Sequence, residues 1–404
     1  MNVMKTTNNN TLQYVLSILL LFFLILRSTL FKNTNYDIIY YSLITIINLF
    51  YFYYCLTYNT KIGITTLFLI VICTLSLFIN YIVGNVNPIL NSWPRLISFI
   101  FAINIIGPLL INTKTIKFRN ILFITCIYSI LIIFIINIRL VIKMDAINFE
   151  GYNGNLESQL LLGALASLSI ITFTVFFIYT KSLFYKFIYL ISFVISFPVL
   201  LLSASRSAIL SLIISLCFYF IFNLKKSLPI ISFLFLFTLI TFDKLQIYSN
   251  VLIEKIDKRN NSGDVTAGRS GIYYDNFLDF KANPLFGSGF YNLINVSNSK
   301  INNDGSLEYS SSWLFILSST GILGLFYFLH LIYKSIITSV KMNYNKIDKY
   351  DTIACLYMIF FIVHSNFEGY IFSAGGLLFF TFWITYSKIT TIKFNENTAN
   401  FVRG

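Results

Sequence analysis

Two arginines stand out because charge is scarce around them. In "LLSASRSAILS", which begins at Leu201, Arg206 sits among small and hydroxylated residues where two strongly apolar runs nearly meet. If that stretch is helical, Ser203, Ser207 and Ser211 line one face and let backbones pack closely. In "TAGRSGIYYDNFLDFKANPLFGSGF", Arg269 precedes Ser270, a suitable helix N-cap; Tyr273, Phe277 and Phe280 then share a face, and Asn283-Pro284 ends the helix. A guanidinium beside a helix N-terminus suits an anion. Unpaired backbone N–H groups and the positive dipole end attract it, Gly268 and Gly271 permit close approach, and the planar fork matches phosphate oxygens bidentately. Each arginine also has a plainer use. Arg269 can pair at the surface with Asp275 or Asp264, and Arg206 can snorkel to lipid headgroups. Arg95, after Trp93-Pro94, and Arg139 fall at the same level by topology, where they can share an anionic ligand or simply touch lipid.

The elements that must position these side chains follow from composition. The chain is 57% hydrophobic and only 11% charged, with a mean hydropathy of +0.76, far more apolar than a soluble protein. A bilayer core about 30 Å thick needs about 20 apolar residues per helix, and runs of this kind recur along the chain. Twelve are found, near 12–30, 36–57, 62–83, 93–112, 119–142, 156–179, 184–203, 207–222, 227–242, 311–333, 350–367 and 370–387. The fold class expected is therefore an all-α polytopic membrane protein. The first run is long and lacks a small-x-small cleavage pattern before Lys32, so it reads as a retained helix. The eighth and ninth are short enough to be tilted or partly re-entrant.

With the N-terminus inside, sixteen lysines and arginines fall on the cytoplasmic side, against six outside: Arg27, Lys32, Arg95, Arg139, Lys143 and Arg206. That imbalance places both termini in the cytoplasm. It also explains the net charge of +13 as a collar facing anionic lipid, with no need for nucleic acid. The chain then divides into nine helices over 1–242, a large and partly helical outer loop over 243–310 between helices 9 and 10, and three helices with a short cytoplasmic tail over 311–404. The loop holds eight of the sixteen carboxylates, and loops this long usually carry function. In its "KLQIYSNVLIEKI", Leu245, Tyr248, Leu252 and Ile256 make one apolar helical face, for the membrane surface or for neighbouring segments. All five cysteines lie inside spans as small apolar residues. His330 and His364 have no carboxylate cluster at ligand spacing, and there is no P-loop, so neither metal nor nucleotide cofactor is expected. Gly287-Ser288-Gly289 reads as a tight turn, and Gly321 and Gly324 in "GILGLFYF" read as close helix packing.

Three motifs, "SASRSA", "GRSGIYYDNFLDFKANPLFGSGFYN" and "SSSWLFILSSTGILGL", occur in that order around the large loop. With the helix count, they resemble the O-antigen polymerase (Wzy-type) and O-antigen ligase superfamily. The resemblance implies that Arg206 and Arg269 engage the diphosphate of a polyprenyl-linked sugar donor. It also implies a bacterial inner-membrane protein that works with undecaprenyl-diphosphate-linked donor and acceptor, alongside a chain-length regulator and a flippase. Ligases of this kind carry a histidine about eleven residues before the first glycine of the "GILGL"-like segment. Counting back from Gly321 reaches Ser310, which favours a polymerase and leaves the acid-base chemistry unassigned. Joining repeat units needs a general base near the acceptor hydroxyl and stabilisation of charge on the departing diphosphate. Glu308 and Asp304 are the candidate bases, with Glu157 and Glu368, beside His364, behind them, and Ser310, His364 and Glu368 are further candidate substrate contacts. Tyr273, Tyr274, Tyr291 and Tyr309 can stack on sugar rings or pack in the core. A flippase for the same lipid is the rival of another class, but flippases usually show related halves and no internal repeat is visible here.

Overall fold

A computed structural model describes residues 2–29, 34–86, 91–142, 152–223, 253, 257, 269–292, 294, 310–344 and 348–401. It is an all-α polytopic membrane protein. The helices are α1 (Asn2–Arg27), α2 (Thr34–Thr57), α3 (Ile64–Val83), α4 (Ser92–Ile106), α5 (Thr113–Ile142), α6 (Gln159–Tyr179), α7 (Leu183–Leu202), α8 (Arg206–Phe222), α9 (Ser270–Ala282), α10 (Ser312–Tyr344), α11 (Lys349–His364) and α12 (Leu377–Phe401). By length and apolarity, α2, α3, α5, α6, α7 and α10 can each cross a bilayer. The ninth expected run, 227–242, and nearly all of "KLQIYSNVLIEKI" lie outside the described residues.

Helix α6 is the axis of the bundle. It is apolar on all sides and buried continuously from Leu162 to Phe176, as a helix walled in by others must be. Its start is fixed by Ser158, whose side chain accepts the Leu161 N–H at 3.2 Å. On the rim the pattern inverts: Leu49 of α2 is 65% exposed and Leu183 of α7 is 81% exposed, apolar surface that suits lipid.

Connections segregate to two ends, as alternate crossing requires. At one end β1 (Lys61–Ile62) pairs antiparallel with β2 (Leu110–Ile111). At the other, the arginine end, Thr29 bridges Leu156, the Tyr152 N–H reaches the Leu202 carbonyl at 2.9 Å, and Arg27 pairs with Asp37 while reaching the Gly375 carbonyl. Arg119, counted by sequence in the cytoplasmic collar, is instead buried. It donates to the carbonyls of Ile105 and Asn104 at 3.0 and 3.1 Å, satisfying the orphan C-terminal groups of α4.

Three expectations need correction. Residues 370–376 form a turn-rich connection, so the last helix starts at Leu377. The "SASRSA" stretch is not one helix: α7 stops at Leu202, Ala204 takes φ 48°, and α8 starts at Arg206, so Ser203 shares no helical face with Ser207 and Ser211. Finally, α10 breaks at Gly321, where φ is 68° and ψ −167°. "GILGL" is thus a kink, and the segment after α9 fills it.

Candidate functional site

The turn that carries Arg206 is built from small residues because α6 lies directly beneath it. A Cβ on Gly163 of α6 would stand 2.6 Å from Ser205 Cβ and 2.8 Å from Ser203 Oγ. Ser203 Oγ donates to the Leu200 carbonyl at 2.7 Å, and Ser167 Oγ of α6 donates to the Ala208 carbonyl at 3.2 Å. The turn is therefore packed and internally bonded. Arg206, first residue of α8, is the exposed member. It starts the helix, where backbone N–H groups have no intrahelical carbonyl partner.

Helix α8 runs antiparallel to α11, and Ser215 Oγ donates to the Leu356 carbonyl at 2.8 Å. Nine residues along α8 from Ser215 is Arg206; eight along α11 from Leu356 is His364. At about 1.5 Å per residue both ends are roughly 12–14 Å from that contact, so they finish at one level.

Arg269 comes to the same level from another direction. It occupies the N-cap position of α9, one residue earlier than the expected Ser270, and Ser270 is the first helical residue. Its Nη1 donates to the Phe367 carbonyl at 2.6 Å and its Nη2 to Glu368 Oε1 at 3.1 Å. A carboxylate that spacing does not suggest holds it, from the connection between α11 and α12; Asp264 lies outside the described residues. Ser312, at the start of α10, staples that connection down. Its Oγ donates to the Glu368 carbonyl at 2.7 Å and accepts the Tyr370 N–H at 3.0 Å, while Trp313 Nε1 donates to Ser365 Oγ at 2.9 Å.

His364 ends α11 beneath this latch. It is fully buried and its ring stacks on Phe360 with centroids 5.1 Å apart. Nδ1 lies 3.4 Å from the Tyr370 hydroxyl, which also reaches the Phe361 carbonyl at 3.4 Å. Nε2 is buried with no hydrogen-bond partner among the described residues, and so is Ser310 Oγ. In the connection, burial first and the Glu368 charge second push the Tyr370 phenol well above its ordinary range, so it stays protonated.

The other sequence candidates divide. Arg95 does not turn to lipid: its Nη1 meets the Tyr291 hydroxyl at 2.6 Å and its guanidinium lies 4.2 Å above that ring. Tyr291 is buried, which makes it a support for Arg95 and a poor platform for sugar. Tyr274 is exposed and Tyr273 half-buried; the face that α9 buries carries Ile272, Asn276 and Asp279, away from the Tyr273, Phe277 and Phe280 face. Glu157 is exposed, and its N–H bonds the Ser28 carbonyl at 3.2 Å. Asp304, Glu308, Tyr309 and the Arg139 side chain lie outside the described residues.

Sequence reasoning missed the polar seam that positions α9. Gly287 has φ 71°, and a Cβ there would lie 2.5–2.6 Å from backbone atoms of Ser318, Ser319 and Thr320. This close approach lets Ser288 and Gly289 donate their N–H groups to the carbonyls of Ser318 and Ser319 at 2.8 and 3.1 Å, and lets Ile322 donate to that of Pro284 at 2.9 Å. Ser76 and Asn80 of α3 complete the seam, Ser76 Oγ on the Ser319 carbonyl at 2.7 Å and Asn80 Nδ2 on the Gly287 carbonyl at 2.9 Å. Their i, i+4 spacing inside an apolar span was the available signal.

Fold and geometry together give a multi-pass membrane protein with Arg206 and Arg269, each at a helix start, toward one end of the bundle. Residues 191–329 match the family model described as O-antigen ligase, a segment that runs from α7 into α10 and contains both Arg206 and Arg269. The match supports the O-antigen ligase and polymerase superfamily for about a third of the chain, without separating the two activities. A search of curated proteins finds no match.

Proposed function

We propose that the protein is a polysaccharide polymerase that joins undecaprenyl-diphosphate-linked repeat units into a longer chain. It acts at the periplasmic face of a bacterial inner membrane, with both termini in the cytoplasm. The observation that carries this reading is the meeting of two arginine-bearing helix N-termini, α8 and α9, at the level of one buried histidine. Arg206 is open to a ligand, and Arg269 is held by a carboxylate and a carbonyl that a diphosphate can replace. Two guanidiniums at a low-dielectric surface stabilise the charge that grows on the departing diphosphate, an effect worth about 10²–10³ in rate for each donor removed from such a site. Ser310, where ligases carry histidine, favours polymerisation; the description of the matching family keeps ligation to lipid A-core as the second reading.

The variants Arg206→Ala and Arg269→Ala should insert normally and abolish chain lengthening in cells. Long-chain polysaccharide of normal length from both would sink the diphosphate assignment. Activity should persist in excess chelator, since the chemistry proposed uses no metal, and strict dependence on a divalent ion would count against it. A flippase and a chain-length regulator are the expected partners in the cell.

A further inference from the structure

Burying a polar nitrogen without a partner costs about 1–3 kcal/mol, so each such atom calls for a reason. His364 Nε2 is one, fully buried at the end of α11 and at the level of both arginines. The Tyr370 contact suits the tautomer that carries its proton on Nδ1. The Tyr370 hydroxyl has the Phe361 carbonyl as an acceptor, which leaves its oxygen to accept from Nδ1–H and leaves Nε2 with a free lone pair. Phe360 holds the ring plane. Tyr370 is itself held by Ser312, the residue that anchors Glu368.

We propose that His364 is the general base of the polymerase, acting through Nε2 on the acceptor sugar hydroxyl; this rests on the polymerase reading above. The connection that follows it, whose Phe367 and Glu368 N–H groups bond the His364 carbonyl, is the one the donor releases. Arg269 binds Phe367 and Glu368, three and four residues beyond His364, and a diphosphate that takes the guanidinium fork frees both. Freeing that connection opens a path from the ring to an acceptor hydroxyl only once donor is bound. In the step itself, the acceptor O–H gives its proton to Nε2 and its oxygen bonds to the anomeric carbon of the donor. The bond from that carbon to the diphosphate oxygen breaks, and the electron pair leaves with the polyprenyl diphosphate between Arg206 and Arg269. The imidazolium then returns its proton to water. From sequence His364 is only a candidate substrate contact, because it lies outside the three motifs and 54 positions beyond the serine that replaces the ligase histidine.

The test uses the full-length protein in lipid nanodiscs with the native lipid-diphosphate repeat unit. His364→Gln should lower turnover by about 10²–10⁴-fold while binding of farnesyl diphosphate, a donor probe, stays within about twofold. Turnover of His364→Gly should recover in part with added imidazole, which a purely structural histidine would not allow. Wild-type turnover in His364→Gln, or lost turnover with no imidazole recovery, overturns the proposal. If neither variant is monodisperse, Tyr370→Phe decides: a turnover about tenfold lower at unchanged probe affinity supports it, and unchanged turnover overturns it. Absence of oligomers from the unaltered protein would instead overturn the polymerase reading.

Discussion

The latch between Arg269 and Glu368 predicts that removing a carboxylate strengthens anion binding. In Glu368→Gln the amide keeps the shape of the side chain but loses its charge, so Arg269 gives up less when it turns to a diphosphate. The pair is 3.1 Å long, with the two side chains 21% and 12% exposed. A hydrogen bond to a charged group contributes about 1.5–3 kcal/mol, and residual solvent screening brings that down to about 1–2 kcal/mol. At 1.4 kcal/mol per tenfold, the dissociation constant should fall about 5- to 30-fold. Titration of detergent-purified protein with farnesyl diphosphate at fixed ionic strength measures it. An affinity that is unchanged or weaker in Glu368→Gln would refute the competition between Glu368 and the diphosphate, and with it the idea that the latch yields to donor.

Other perturbations follow from the same contacts. Arg206→Lys should lose much of the chain-lengthening activity seen on gels, because an ammonium cannot replace a bidentate fork. Gly321→Ala places a methyl group against the Leu285 backbone at a φ of 68°, and it should destabilise the protein by about 2–4 kcal/mol, read as a lower melting temperature. Ser312→Ala removes the hydroxyl bonded to both Glu368 and Tyr370, and should cost about 1–3 kcal/mol in the same melt while loosening the connection that carries Glu368.

Much of this was legible in the residues because the strongest signals are local. Apolar runs gave eleven helices, eight of them within about six residues of their observed limits, and α9 ended at Asn283 as Asn-Pro requires. The motif order singled out Arg206 and Arg269, which end at one level. What escaped was set by tertiary contact. Nothing near Arg269 in sequence marks Glu368, 99 positions away, as its partner. "GILGL" has the pattern of close helix packing, and only the insertion of Pro284–Ser288 against α10 turns Gly321 into a kink. The serines around Arg206 suggested a helical stripe, yet Ala204 reverses the chain between them. The Glu308 and Asp304 candidates followed from closeness to Ser310 in sequence. The histidine at the site comes from a different helix.

The central claim is that this protein makes glycosidic bonds between lipid-linked repeat units. Purified protein in nanodiscs, given only the native lipid-diphosphate repeat unit, should produce dimers and longer species resolved by mass spectrometry, with release of polyprenyl diphosphate and no need for ATP or a lipid A acceptor. Bond formation that appears only when lipid A-core is supplied would make it a ligase, and transbilayer movement of the repeat unit without any new bond would contradict the account.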